Sequence, residues 1–304
     1  MIKRSLVISV ILAVLIISGC ASLPRLPTNL PSFQNFGQKE KQIIESRGLS
    51  ISFKEGQPPL DEIYAGKSFK ISLDVVNNDP TDISGAISLS DTPSDEYSSL
   101  KGKDQQSFAL QPAELSENKL IPSKETLTFG PFQYDESKVF VGMLTNFIVE
   151  LTTNHKTSIT SQVCIKSSSQ ESRCQNKETL TNLGNQAKYS PVTVTKIEKN
   201  VIPQEEGLLN LNLKIYVKNT GKGKVDNEDE SISNFKVSMQ GSANLDCTKT
   251  NKISLKDGEK VIICNADITL TDEVFRQDVL EIYYEYPYKI IETLGPIKVT
   301  RIEK

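Results

Sequence analysis

The chain has 304 residues, a length that accommodates roughly two domains. Hydrophobic residues make up 37 % and charged residues 24 %, a globular composition that excludes disorder throughout. The net charge of -3 falls to about -5 if Lys3 and Arg4 are processed away, and the lysines are scattered among acids, which excludes the clustered cationic surface of a nucleic-acid binder.

Met1-Ile2-Lys3-Arg4 precedes an almost wholly apolar run from Ser5 to Ile17, the pattern of a secretory signal. At about 13 residues the run is short of the roughly 20 that a spanning helix needs. It ends in Ile17-Ser18-Gly19-Cys20, which resembles the lipobox of prokaryotic lipoproteins. That resemblance implies cleavage after residue 19, a thioether-linked lipid on Cys20, and a protein held to the outer face of a membrane. The alternative, an uncleaved anchor with an incidental cysteine, also leaves the remainder facing outward.

From Ala21 to about Ser46, Leu-Pro-Arg-Leu-Pro-Thr-Asn-Leu-Pro-Ser and a polar Gln-Lys-Glu-Lys stretch read as a tether, because the prolines block regular structure. As a flexible chain, some 26 residues reach on the order of 25 to 30 Å. The expected segments are 1–19 signal peptide, 20–47 lipidated cysteine and tether, 48–176 first module, 177–190 linker and 191–304 second module.

The first module opens on the alternating Leu49-Ser50-Ile51-Ser52-Phe53. Phe69 to Val76 alternates too and ends at the turn formers Asn77-Asn78-Asp79-Pro80. Ala86 to Leu89 and Thr126 to Phe129 are further strands. The segment between them, Asp91 to Lys124, is too long for a turn and is a binding loop, a hidden edge strand or an insertion. Thr145 to Leu151 and Thr157 to Ile165 predict a hairpin with His155 at its tip.

The second module repeats the outline. Val192 to Ile197 precedes Leu209 to Val217, which closes on Asn219-Thr220-Gly221 as its counterpart closes on Asn77-Asn78-Asp79. This likeness implies duplication of one fold unit. Phe235 to Met239, Ile253 to Leu255, Val261 to Cys264 around an Asp257-Gly258 turn, Val279 to Tyr286 and Ile297 to Ile302 complete it. Many short strands without a long 3.6-period segment predict an all-β fold of two tandem Ig-like β-sandwiches. Leu213-Lys214-Ile215-Tyr216-Val217-Lys218-Asn219-Thr220-Gly221 and Ser254-Leu255-Lys256-Asp257-Gly258-Glu259 resemble the Ig-like repeats of prokaryotic, particularly archaeal, cell-surface proteins of the CARDB and S-layer-associated type. The resemblance covers residues 49 to 174 and 191 to 302 and implies a role in adhesion or surface assembly.

Five cysteines become one lipid site, Cys20, and an even four. Of three possible connectivities we choose the local one, Cys164 with Cys174 and Cys247 with Cys264, as expected of an oxidising compartment. A zinc site would need nearby histidines or a CxxC pair, and His155 is the one histidine.

No catalytic constellation is legible, so the chain is expected to be non-enzymatic and to need no cofactor. Asp226, Glu228, Asp229 and Glu230 form an acidic run that is a solvated loop or a weak calcium candidate. Tyr283, Tyr284, Tyr286 and Tyr288 are a possible binding patch or alternately pack into a sheet. The expected partners are a membrane, through the lipid, and an envelope or surface protein. The alternative is a peptide, glycan or small-ligand binding module using sheet edges or the 91–124 segment.

Overall fold

The computed structural model describes residues 47–302 other than 60, 94–96, 101–103, 117–118, 168–171, 205–206, 241–244, 249–250 and 271–273. The signal, Cys20 and the tether lie outside the described residues. The fold is all-β, as expected.

The first half contributes β1 (Leu49–Phe53), β2 (Glu62–Tyr64), β3 (Phe69–Asn77), β4 (Ile83–Asp91), β5 (Asp104–Leu110), β6 (Glu114–Ser116), β7 (Lys119–Ile121), β8 (Ser123–Phe132) and β9 (Leu144–Lys166). The second contributes β10 (Lys177–Leu180), the helix α1 (Gly184–Tyr189), β11 (Val192–Pro203), β12 (Leu208–Asn219), β13 (Lys224–Val225), β14 (Ser231–Met239), β15 (Asp246–Cys247), β16 (Lys252–Ser254), β17 (Lys260–Thr269) and β18 (Phe275–Thr300). Of the three readings of the 91–124 segment, the edge strand is the one observed: β5 closes one side of the largest sheet, with Phe108 and Leu110 turned into the core.

The sheets repeat one arrangement twice. A three-stranded sheet runs β1-β3-β8, and the middle of a five-stranded sheet runs β11-β12-β17. The eight-stranded sheet reads β16-β14-β18-β9-β4-β5, with β13 and β2 also paired to β18, so along this path its two sides mirror each other about the β18–β9 pair. The smaller sheets lie over this large one. Phe69 of β3 meets Phe147 of β9 at 5.9 Å, and the Tyr284 hydroxyl of β18 donates to the Val192 carbonyl of β11 at 3.0 Å.

β9 and β18 differ most from the sequence-based expectation. The predicted hairpin around His155 is instead one strand of 23 residues, and Val279 to Tyr286 and Ile297 to Thr300 belong to one strand of 26. The reason is pairing. β9 alternates buried and exposed residues without a break through Asn154-His155-Lys156, and β18 pairs with it from Phe275↔Lys166 to Lys298↔Leu144. Backbone hydrogen bonds along a long partner outweigh the weak turn preference of three residues. One irregularity, between Leu294 and Ile297, interrupts the ladder.

The strands of the two halves are therefore not segregated. The first half of β9 pairs with β4, while its second half lies under α1, where the Ser158 amide donates to Gln186 Oε1 at 2.7 Å. The end of β18 returns to the first half and pairs in parallel with β2. Each half thus lends its last strand to the other. The 177–190 segment, expected as a linker, carries β10 and α1; β10 pairs with β11.

The matched turns after β3 and β12 use the same device. Asn77 Nδ2 donates to the Thr81 carbonyl at 2.8 Å while Asn77 Oδ1 accepts from the Asp79 amide at 2.8 Å. Asn219 Nδ2 donates to the Gly223 carbonyl at 2.9 Å while its Oδ1 accepts from the Gly221 amide at 3.1 Å. Each Asn side chain stands in for a backbone turn while the chain crosses from a small sheet to the large one. Asn77 is wholly buried and also donates to the Gln111 carbonyl at 2.8 Å. Replacing Asn77 with Ala is expected to cost about 2 to 3 kcal/mol, because three polar groups lose their partner in the interior. Urea denaturation measures this; a loss under about 0.5 kcal/mol would show that the turn forms without its side-chain hydrogen bonds.

Candidate functional site

The midpoint of the β9–β18 ladder is the pair His155↔Tyr286. His155 is 3 % exposed, its ring stacked on Tyr286 at 5.2 Å and meeting Tyr288 edge-on at 5.6 Å. This corrects its expected place on a solvated turn. Of the two readings of the tyrosines, alternate packing into the sheet is the one observed: Tyr284, Tyr286 and Tyr288 occupy every second position of β18 and face the core. Tyr283 faces the other way, half-buried, with its hydroxyl donating to Glu285.

The tyrosine hydroxyls are anchored. Tyr286 accepts from the Val192 amide at 3.3 Å, and Tyr288 accepts from the Gly223 amide at 2.9 Å and donates to Asn219 Oδ1 at 3.2 Å. Burial raises the pKa of Tyr284 and of Tyr286, and pushes that of Tyr288 up to about 12, so all three stay neutral hydrogen-bonding groups. His155 Nε2 is buried with no hydrogen-bond partner among the described residues, and burial lowers its pKa to about 4. At neutral pH His155 is therefore uncharged.

Beside this aromatic row, Tyr189-Ser190-Pro191 is held from both halves. The Gly48 amide donates to the Tyr189 carbonyl at 2.6 Å, and Ser190 Oγ donates to Asp79 Oδ2 at 2.8 Å. The Thr220 and Gly221 amides both donate to the Pro191 carbonyl, at 2.7 and 3.0 Å. Asp79 is buried; burial raises its pKa, and hydrogen bonds from Ser190 and Thr81 act against that rise. The two equivalent turns thus grip one segment at the waist of the molecule. His155 and Asp79 share this region. The arrangement binds the halves together.

The remaining candidates fall elsewhere. Asp226 pairs with Lys289 at 3.1 Å and Asp229 with Lys252, so the acidic run engages lysines on different strands. Among the described residues no three His, Cys, Asp or Glu side chains converge as a metal site. The local disulfides are present, Cys164–Cys174 with Cα atoms 5.5 Å apart and Cys247–Cys264 at 4.0 Å. Sequence reasoning missed Lys199, whose fully buried ammonium pairs with Glu178 at 2.5 Å and donates to the Cys164 carbonyl, joining β10, β11 and β9 beside the first disulfide. It also missed an open groove of mixed polar and apolar lining, with Thr160, Ser161, Thr179, Leu180, Asn182 and Val279, between β9 and the connection into α1.

No family model matches the chain, and no curated protein matches it. Among solved structures, that of a transglutaminase from red sea bream is similar at 10 % sequence identity with a TM-score of 0.20, over 84 % of this chain and 31 % of that one. The chain spans about a third of that protein's length. A likeness at this level carries no argument about fold or activity.

The buried histidine makes stability depend on pH. Its pKa is about 4 when folded and about 6.5 when exposed, so protonation favours the unfolded chain. Stability is full above pH 6.5 and falls by about 3 kcal/mol as the pH drops to about 4. Asp79 acts in the opposite sense, because its raised pKa favours the folded state on acidification. His155→Phe keeps a ring against Tyr286 and removes the orphaned nitrogen. Its unfolding midpoint is expected to change little between pH 6.5 and 4.5, whereas that of the native sequence falls; parallel pH profiles would contradict the assignment.

Proposed function

We propose that the chain is a non-enzymatic lipoprotein, anchored outside the cytoplasm through Cys20 and presenting a pair of Ig-like β-units to an envelope or surface protein. The observation that carries this reading is Ile17-Ser18-Gly19-Cys20, placed directly after a charged start and a short apolar run. Two further features support it. The other four cysteines are consumed in pairs, as suits an oxidising compartment, and the all-β architecture is stiffened by disulfides near β9 and within the second half. On this reading the molecule works as a scaffold held at a surface.

A second reading, a glycan-binding module, is favoured by the mixed polar and apolar groove beside α1. Its Thr, Ser and Asn lining offers paired donors and acceptors suited to hydroxyl-rich ligands.

The anchor is tested on protein recovered from the membrane fraction of expressing prokaryotic cells. Mass spectrometry is expected to find an N-terminal peptide that begins at Cys20 and carries a diacylglycerol mass. Cys20→Ser is expected to abolish that mass and release the protein. An unmodified Cys20 in a membrane-bound chain that retains residues 1–19 would overturn the lipid anchor in favour of an uncleaved one.

A further inference from the structure

The two halves depart from each other at one end. The connection from β17 to β18 is Leu270–Val274, whereas the corresponding connection from β8 to β9 is the longer Gln133–Met143. The longer loop is built, with both flanks buried. Val139 and Met143 are 5 % and 2 % exposed, the Lys138 and Val139 amides donate to the Asp135 carbonyl at 3.0 and 3.2 Å, and the Met143 amide donates to the Phe140 carbonyl at 3.2 Å. Gly142, with φ of +82°, closes the turn. The result is a fixed protrusion whose summit is apolar: Phe140 is 58 % exposed and Val141 is 102 % exposed.

Three more apolar side chains are exposed around it. Leu144 lies opposite Lys298, Tyr64 lies opposite Thr300, and Ile302 follows two residues later; Phe140, Val141 and Ile302 line one concavity. A fixed apolar cluster of this kind on a surface marks an interaction site. Five side chains fall well short of the 20 to 30 residues per side of a typical protein interface, but they suit shallow entry into a lipid interface.

We propose that this tip inserts into the membrane surface to which Cys20 tethers the chain, so that the body stands on its first half. The inference rests on the lipid-anchored reading. The described chain starts at Arg47-Gly48, where Gly48 bonds Tyr189 and Asn78 at the waist. From there the nine residues of β3 run to Phe69, next to the loop's Tyr134. That span is about 30 Å at 3.3 to 3.4 Å per residue. It matches the reach of about 25 to 30 Å expected for the tether from its length, so the tip contacts the bilayer without stretching the tether. Around the tip Lys138, Lys298 and Arg301 are balanced by Glu62, Asp135 and Glu136, so apolar insertion rather than attraction to anionic lipid drives the contact.

The test uses the processed chain from residue 20 with Cys20→Ser, which binds vesicles only through its folded surface. It therefore gives its answer whether or not Cys20 is lipidated in cells, and the mass of the native N-terminal peptide judges the anchor separately. Sedimentation with phosphatidylcholine vesicles at millimolar lipid is expected to carry the protein down. Each CH2 withdrawn from the interface changes partition about fourfold, so Val141→Glu is expected to lower it at least tenfold. Val141 packs against nothing, so this variant should keep the native unfolding midpoint. Val261→Glu, at a half-exposed site in the second half, is expected to leave partition unchanged. Exchanging a third of the lipid for phosphatidylglycerol is expected to change it by less than about threefold. Absence of sedimentation, or equal partition of Val141→Glu, overturns the proposal. So does a lipid-free dimer that Val141→Glu dissociates, which would assign the tip to a second copy of the chain.

Discussion

Everything in this fold depends on the antiparallel ladder between β9 and β18. A strand of ordinary length pairs within one module, but these run from Leu144 to Lys166 and from Phe275 to Thr300 and serve two modules each. Their backbone groups, at the middle of the eight-stranded sheet, are satisfied by one another and by β4 and β14 on their outer sides. Breaking the sheet at its middle would strip both halves of their central strand. The halves are consequently joined by strand exchange, and the covalent connection through 177–190 adds a second layer, β10 and α1, over the same region.

This arrangement explains the concentration of buried polar groups at the waist. His155, Asp79, Ser190 and three tyrosines are unusual company for a core, and here they lie where the two halves meet. The cost of burying hydroxyls is offset by specific partners, Val192, Gly223 and Asn219 in the second half for the tyrosines and Asp79 in the first half for Ser190. Such partners fix one register of the long strands, since a slip of one residue would turn the tyrosines to solvent. His155 is the exception, with a nitrogen left unmatched.

The all-β fold class, most strands and both disulfides were legible in the sequence. Alternation marks β3 and β12, and the paired Asn turns after them are real structural equivalents. Alternation misled only where turn-forming residues interrupted it in composition but not in phase, at Asn154-His155-Lys156, because their β18 partner lies over a hundred residues away. The same distance left open which face of β18 is covered, and so whether Tyr284, Tyr286 and Tyr288 pack inward. The exposed tip was illegible for another reason: Phe140-Val141 resembles the start of any strand, and only the burial of its neighbours Val139 and Met143 shows that it projects outward. The proposed function rests mainly on the resemblance of Ile17-Ser18-Gly19-Cys20 to a lipobox, and not on a site within the fold.

The central claim is that the two halves form one body through a shared sheet, and differential scanning calorimetry at pH 7 tests it most directly. A single transition whose calorimetric and van't Hoff enthalpies agree is the predicted result, because neither half keeps a complete sheet without the other. Two resolved transitions, or a van't Hoff enthalpy near half the calorimetric one, would show independent modules and contradict the account.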